Sequence, residues 1–489
     1  MHASELLIIH KRFWGEQPAL LLGLSAAIGI GFALFSVPVW VGIVWTLYLI
    51  LLRKWASIAG LVSIGVYAWL LYGGLPTMEL PNECTARFSI SSLQKHQSPF
   101  YQDVVYRGTL YHGRAALPCS IYARGKRATA SRDYQVTGFL KRKNDYEFTL
   151  QVKRWEPVEW TWSLAELRYQ MKEQVRTYLR ENLIHARAAM FLSSLATGEI
   201  EDRQLRFEFG RLGLQHLLAI SGFHFGVILL FFSSFLGFFF PPRWTWVALF
   251  VVSSLYFIFI GSSPPVQRAW LTTTLFLWSK WLKRPCEPSN LLGAALLLEV
   301  LWNPLVVQQI GFQLTFGCCL GIFLLHPSVD LWLTALFPKR TAVKSLQLPF
   351  FSKCMYLLAG LFRSSLGLGL AVHLAILPLL LYHFGKFPYL SLLYNLFYPF
   401  LLSLALFGLL TAILASLLLS SLGSLLFFAL DRYTNQLLDL TSYPPLALDY
   451  SLYFYGFRSD WIFAYAALLL GLALHRKNLD KNPSIPLFF

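Results

Sequence analysis

One short segment of this 489-residue chain combines residues that could do chemistry with an interruption of an apolar run. Residues 213–226 read GLQHLLAISGFHFG, with His216 and His224 on either side of Ser221 and Gly222. Ser-Gly permits a helix to unwind, and unwound backbone at membrane depth is tolerated only where protein or a water-filled cavity satisfies its polar groups. The segment therefore predicts a broken helix that lines a pore. The alternative is a helix-packing glycine flanked by interfacial histidines.

Isolated polar side chains in other apolar runs point to the same kind of path. Arg268 and Arg363 each stand where an arginine costs at least about 2.5 kcal/mol on insertion scales, so each should face a cavity or a partner. A polyanion crossing a bilayer needs such sparse positive charge, because dense charge would retain it. Snorkelling to the near interface is the alternative, favoured for Arg363 but not for Arg268 beside its Ser-Ser-Pro-Pro turn. Gln313 and Asn395 fit interhelical hydrogen bonds as well as pore lining.

A strongly basic segment lies between the third and fourth long apolar runs. Residues 107–154 carry eleven basic side chains against three acidic ones, interleaved with tyrosines and a tryptophan. This mixture suits single-strand binding, where phosphates are neutralised and bases stack on aromatic rings. The alternative is attraction to anionic lipid headgroups. The aromatic residues are Tyr106, Tyr111, Tyr122, Tyr134 and Trp155, and the predicted DNA-binding residues are Arg107, Arg114, Arg124, Lys126, Arg127, Lys141, Arg142 and Lys143.

The composition decides which class of protein carries these residues. Only 13% of the residues are charged while 56% are hydrophobic, and the mean hydropathy is +0.52. A water-soluble surface cannot be built from this balance. Apolar runs recur at the length of about 20 residues that a helix needs to cross a hydrocarbon core. The sequence predicts an α-helical polytopic membrane protein of about eleven to twelve spans, with a small exported OB-like β-barrel domain inserted between them.

Changes of composition divide the chain into five predicted parts. Basic loops place both termini in the cytoplasm and the barrel outside. Period-two patterns predict barrel strands over 104–110, over 120–123 and around Phe148. The parts are three transmembrane helices over 1–74, the exported barrel over 75–160, amphipathic helices lying on the outer leaflet over 161–212, the main transmembrane domain over 213–476, and a cytoplasmic tail over 477–489. The later spans of the main transmembrane domain are expected at 355–382, 387–407, 409–430 and 461–475.

Two of the six cysteines, Cys84 and Cys119, fall in the part expected to be exported. An oxidising compartment would allow them to form a disulfide. The sequence leaves this pairing open, because it gives no separation between the two Cα atoms.

An ordered set of motifs resembles the ComEC family of competence proteins, the DNA-uptake channels of the bacterial cytoplasmic membrane. Residues 213–226 reproduce that family's GLxHLLAISGxHxG pattern almost letter for letter. The resemblance implies a channel that conducts one strand of transforming DNA inward, and an exported OB-fold that receives it. The other matching segments are Ala196–Glu199, Ser263–Pro265 with Arg268–Ala269, Pro288–Asn290, Asn303–Pro304, Gly311–Phe316, and Asn395 with Pro399.

The chain departs from the family pattern in one respect. Many members end in a metallo-β-lactamase-like domain, whose zinc site needs clustered His and Asp, whereas the eleven histidines here are scattered. No catalytic residue, metal or cofactor is therefore predicted, although a contribution of the barrel to strand degradation stays open. The expected partners are single-stranded DNA, membrane lipids, an external DNA receptor, a separate nuclease, and a cytoplasmic DNA-handling motor or single-strand-binding protein.

Two rival functions remain at this point. A secondary transporter of a smaller anionic solute, such as a nucleotide or phosphorylated glycolipid, would carry inverted repeats, which the sequence does not reveal. An intramembrane hydrolase using His216 or His224 with Ser221 would need a carboxylate to orient the histidine, and no Asp or Glu lies nearby in sequence.

Overall fold

Four helices open the chain: α1 (Ala3–Glu16), α2 (Pro18–Leu34), α3 (Val39–Leu52) and α4 (Trp55–Tyr72). The structure is a computed structural model and describes residues 3–35, 37–78, 83–97, 102–113, 115–124, 131–158, 162–200, 202–336, 349–445, 449–454 and 456–477. Helices α1 and α2 meet at 97°.

Glycines let α2 approach α4 closely, since a Cβ at Gly29 would lie 2.1 Å from the Leu61 carbonyl oxygen. Small residues serve this purpose between membrane helices.

Five strands follow: β1 (Cys84–Gln97), β2 (Gln102–His112), β3 (Ala115–Arg124), β4 (Asp133–Arg142) and β5 (Phe148–Pro157). They close into a barrel in the order β1-β2-β3-β5-β4. Neighbouring strands are antiparallel except β3 and β5, which are parallel. Side chains at every second position fill the interior, among them Phe88, Leu110 and Phe148, as strand geometry requires. The predicted small OB-like barrel is confirmed, and the structure shows that it has five strands.

The barrel is attached to the helices by specific contacts. The Tyr146 hydroxyl donates to the Leu34 carbonyl oxygen over 2.5 Å, and the Tyr146 ring meets the Phe35 ring edge-on. The Arg142 guanidinium donates to the carbonyl oxygens of Met78, over 2.8 Å, and Pro76. These bonds fix the barrel to the end of α2 and to the segment after α4.

Among the described residues after the barrel, the chain is helical apart from two short strands, β6 (Lys386–Pro388) and β7 (Ser451–Tyr453), which pair with each other. Among the described residues, α4, α10 (Pro242–Ile260), α13 (Ile310–Leu336), α14 (Phe350–Phe384) and α15 (Leu390–Leu418) are long and apolar enough to cross a membrane. Shorter apolar helices are α3, α9 (Gly222–Leu236), α12 (Pro288–Trp302) and part of α17 (Ser459–Lys477). The predicted polytopic helical class is confirmed. The elements are α5 (Leu164–Asn182), α6 (Ala186–Thr197), α7 (Arg203–Arg211), α8 (Gln215–Leu218), α9 (Gly222–Leu236), α10 (Pro242–Ile260), α11 (Pro264–Trp281), α12 (Pro288–Trp302), a 3₁₀ turn (Pro304–Gln308), α13 (Ile310–Leu336), α14 (Phe350–Phe384), β6 (Lys386–Pro388), α15 (Leu390–Leu418), α16 (Ser420–Ser442), β7 (Ser451–Tyr453) and α17 (Ser459–Lys477).

The boundary between α15 and α16 differs from the expected one near residue 408. Helix α15 continues to Leu418, and the chain turns at Leu419, which is extended. Gly408 lies within α15, where one glycine costs about 1 kcal/mol relative to alanine. Packing of α15 against α16 outweighs that cost.

Two of the four basic side chains of α5, which is predicted as an amphipathic helix, are buried. Lys172 and Arg176 are both buried, Arg176 with only 1% of its surface exposed. The Lys172 Nζ donates to Glu199 Oε1 at 2.7 Å and to the Ile260 carbonyl oxygen at 2.9 Å, and the Arg176 Nη2 donates to Glu199 Oε2 at 2.6 Å. Buried charges persist where they are paired. Glu199 therefore holds the face of α5 that carries Lys172 and Arg176 inside the protein, and Lys172 joins this face to the end of α10.

Candidate functional site

The expected helix break is present in residues 213–226. Helix α8 ends at Leu218, α9 begins at Gly222, and both Ala219 and Ser221 have extended backbones. The Ser221 backbone N–H donates to the His224 Nδ1 over 3.4 Å, so the histidine side chain satisfies a backbone group that the break exposes. The break leaves unwound backbone inside the helical domain.

The turn that carries Glu199 supports the break from one side. Gly198 ends α6 with a φ of +73°, a conformation that glycine adopts without strain. A Cβ at this position would lie 2.8 Å from the Ile220 Cδ1, and Ile220 itself is buried. The close approach of Gly198 to Ile220 links the ion pairs of α5 to the unwound segment.

The two histidines of the motif have different environments. His224 is completely buried and packs edge-on against the Phe223 ring, and its Nε2 has no hydrogen-bond partner among the described residues. His216 lies in α8 and is exposed. One histidine thus builds the break while the other is open to a ligand.

We expect alanine substitutions to separate these two roles. His224→Ala should reduce the free energy of unfolding by roughly 2–4 kcal/mol, because it removes a fully buried side chain. His216→Ala should reduce stability less, because His216 is exposed. Melting curves of the full chain in detergent provide the measurement, with the membrane level of each variant as a control. Equal destabilisation by both substitutions would contradict the assignment.

Arg268 of α11 lies directly against the break. Its Nη2 would be 3.3 Å from a Cβ at Gly222, and its Nη1 donates to the Cys319 Sγ at 2.6 Å. The Nε is buried and has no hydrogen-bond partner among the described residues. A thiol is a weak acceptor, so these contacts leave the guanidinium charge available to an anion. Arg363, by contrast, has its Nε 3.9 Å from Asp330 Oδ1.

A buried carboxyl group near Arg268 was not predicted from the sequence. Glu299 of α12 is 2% exposed, and neither of its carboxyl oxygens has a hydrogen-bond partner among the described residues. The positive charge of Arg268 interacts electrostatically with the Glu299 carboxyl group. The signal available in the sequence was a single acidic residue within the apolar run of α12.

Gln313 and Asn395 both have hydrogen-bond partners in the structure. The Gln313 Nε2 donates to the Val307 carbonyl oxygen at 3.0 Å, and its Oε1 lies 2.7 Å from the His383 Nε2. The Asn395 Nδ2 donates to the Ser391 carbonyl oxygen at 2.7 Å. Both side chains also keep partial exposure, and their role in lining a pore stays a prediction.

The outer face of β2 and β3 presents a cation and two aromatic rings. Arg107 is exposed, Tyr111 is 48% exposed and Tyr122 is 46% exposed. Arg107 pairs with Ser120 across the strands, so Tyr122 is its diagonal neighbour at a typical separation of about 7–8 Å. Tyr106 and Tyr134 are instead buried, and both contact the Trp155 ring.

The other predicted DNA-binding residues divide into three groups. Lys141 and Lys143 are exposed near the turn between β4 and β5, although Lys143 forms an ion pair with Glu147 at 2.8 Å. Arg142 makes the structural bonds to Pro76 and Met78 described above, so its guanidinium holds the barrel in place. Arg124 is the last residue of β3, and Arg114, Lys126 and Arg127 lie outside the described residues.

Cys84 and Cys119 are buried free thiols in the barrel. Burial raises the pKa of Cys119 to about 12 and also raises the pKa of Cys84. Both groups therefore remain protonated and poorly nucleophilic near neutral pH. The disulfide stays a prediction.

Within the described residues, no group of three or more His, Cys, Asp or Glu side chains could hold a metal ion.

Comparisons with known proteins match the part of the chain that contains the break. A family model described as competence protein matches residues 195–479, more than half of the chain. ComE operon protein 3 of Bacillus subtilis (strain 168) is 27% identical over 237 residues, which cover 47% of this chain and 27% of that relative. The similarity thus spans little more than a quarter of the relative. No solved structure matches the chain.

Proposed function

The chain belongs to the competence protein family, and from that premise we propose that it conducts single-stranded DNA across the bacterial cytoplasmic membrane during natural transformation. The observation that carries the proposal is the position of the Arg268 guanidinium, which lies against Gly222, the first residue of α9 after the unwound backbone. An arginine fork matches a phosphate group. One such cation on the path attracts a strand without retaining it.

The barrel receives the strand on the face that carries Arg107, Tyr111 and Tyr122. OB-folds bind oligonucleotides on the face of strands 2 and 3 and in the adjoining loops. The exposed cation neutralises a phosphate while the rings stack on bases, and Lys141 extends the positive charge. In this proposal the barrel faces outward and both termini are cytoplasmic. An external DNA receptor, a separate nuclease and a cytoplasmic motor or single-strand-binding protein complete the uptake system.

The proposal is tested by transport in vesicles of bacterial phospholipid that contain the full chain. Entry of a fluorescent single-stranded oligonucleotide, protected from added nuclease, supports a DNA channel. Duplex DNA of the same length should remain outside. Uptake of a mononucleotide with exclusion of the oligonucleotide would instead support the transporter of small anions.

The barrel face can be tested separately through the salt dependence of binding. Arg107→Gln should lower the slope of log affinity against log salt by about 0.7, the contribution of one phosphate contact on a single strand. Lys141→Gln should act in the same way. The matched control is Arg154→Gln, because Arg154 is exposed but forms an ion pair with Glu156 at 2.7 Å on β5. Fluorescence anisotropy of an oligothymidylate on the full chain gives the slopes, and identical slopes for all variants would exclude this face from binding.

A further inference from the structure

Glu299 is a buried acid whose environment suits a neutral carboxyl group. It lies in α12 beside buried Leu296 and Val300, and neither carboxyl oxygen has a hydrogen-bond partner among the described residues. An ionised carboxylate buried without partners is strongly disfavoured. The arrangement therefore corresponds to a protonated Glu299.

The titratable groups around Glu299 are few. Helix α11 contributes Arg268, whose positive charge interacts with Glu299. Helix α13 contributes two thiols. The Cys319 Sγ accepts a hydrogen bond from Arg268, and the charge of Arg268 also interacts with Cys318. Helix α2 and the 3₁₀ turn, which also pack against α12, contain no titratable residue. The other titratable residues of these two helices are Lys280 in α11 and His326 and Asp330 in α13. Each lies about two helical turns or more along its helix from Arg268 or Cys319.

We propose that Glu299 is a proton-binding site whose carboxylate competes with DNA phosphate for Arg268. This proposal rests on the proposed function. When Glu299 is ionised, its carboxylate turns to pair with the guanidinium. A phosphate that binds Arg268 displaces the carboxylate, which then takes up one proton and adopts the unpaired geometry seen here. Release of the phosphate reverses the exchange, and the proton leaves with it.

The exchange gives the channel a way to use a proton gradient. The membrane potential, negative inside, opposes entry of each phosphate charge. A proton that is taken up with a phosphate outside and released with it inside cancels that charge. Inward movement then becomes electrically neutral and is driven by the pH difference.

Isothermal titration of the full chain with oligothymidylate, in detergent and at one pH, tests the exchange directly. The measured enthalpy is plotted against the ionisation enthalpy of several buffers, and the slope gives the number of protons taken up on binding. We expect about one proton for the wild type, from the one carboxylate displaced. Glu299→Gln cannot take up this proton, so its slope should fall by one while binding heat persists. Glu287→Gln, an exposed change at the start of the same helix, should retain the wild-type slope.

The outcomes separate the two proposals. Absence of binding heat for the wild type would defeat the proposed function itself. Binding with no proton uptake by the wild type would defeat only the exchange, whether or not any variant folds. Equal slopes for the wild type and Glu299→Gln would also overturn it. In vesicles, an acidic exterior should stimulate uptake by the wild type and leave uptake by a folded Glu299→Gln protein unchanged.

Discussion

Arg268→Gln is expected to reduce uptake of single-stranded DNA by roughly tenfold to a hundredfold, the loss of about 1.5–3 kcal/mol that accompanies a hydrogen bond to a charged group. Glutamine keeps a polar amide near Cys319 but carries no charge for a phosphate. Because Arg268 lies against the break at Gly222, this loss falls on the proposed path of the strand. Vesicle uptake of a labelled oligonucleotide measures it.

Arg268→Lys is the matched variant for this experiment. Lysine retains the positive charge but loses the planar fork that binds two phosphate oxygens, so uptake should be intermediate. Arg363→Gln provides a second comparison, since Arg363 is close to Asp330 rather than to the break. Unchanged uptake by a folded Arg268→Gln protein would place the strand elsewhere.

Gly222→Val is expected to abolish uptake while the protein still inserts and folds. A Cβ at this position would already lie 3.3 Å from the Arg268 Nη2, and the two additional methyl groups of valine must displace the guanidinium. Valine also has restricted side-chain rotamers, so the added bulk cannot turn away freely. Transformation frequency measures the effect in cells whose chromosomal copy carries the variant, and a membrane blot reports insertion.

Gly226→Val is the control, because it adds the same bulk to the same helix one turn further on. Nothing lies within 4 Å of a Cβ at Gly226, so uptake should stay near the wild-type level. Gly222→Ala should have a mild effect, since the contacting atom is the end of a flexible side chain. If Gly222→Val and Gly226→Val reduced uptake equally, the contact with Arg268 would not explain the loss.

Much of the fold could be predicted because it follows from local patterns. The strand around Phe148 was visible as a period-two alternation, and the membrane helices as long apolar runs. The burial of Arg176 could not be foreseen, because its partner Glu199 comes from another helix. Patterns of polarity along one helix report an exposed face only when no charged partner covers it.

The helix break in the site was predictable from local sequence, but the contacts of Arg268 were not. Ser221 and Gly222 signalled the helix break through local backbone chemistry. The contacts of Arg268 with Gly222 and Cys319 join residues far apart in sequence. Glu299 was not predicted as a site residue, because its role depends on Arg268, which comes from another helix.

In the proposed uptake of DNA, the attachment of the barrel through Tyr146 and Arg142 affects how efficiently a captured strand reaches the membrane. A domain on a flexible linker offers its cargo at an effective concentration that falls as the linker lengthens. An anchored domain holds the strand at a set height and orientation for every arrival. The entropic cost of aligning the barrel with the membrane domain is met once, when the chain folds, and successive nucleotides start from the same position.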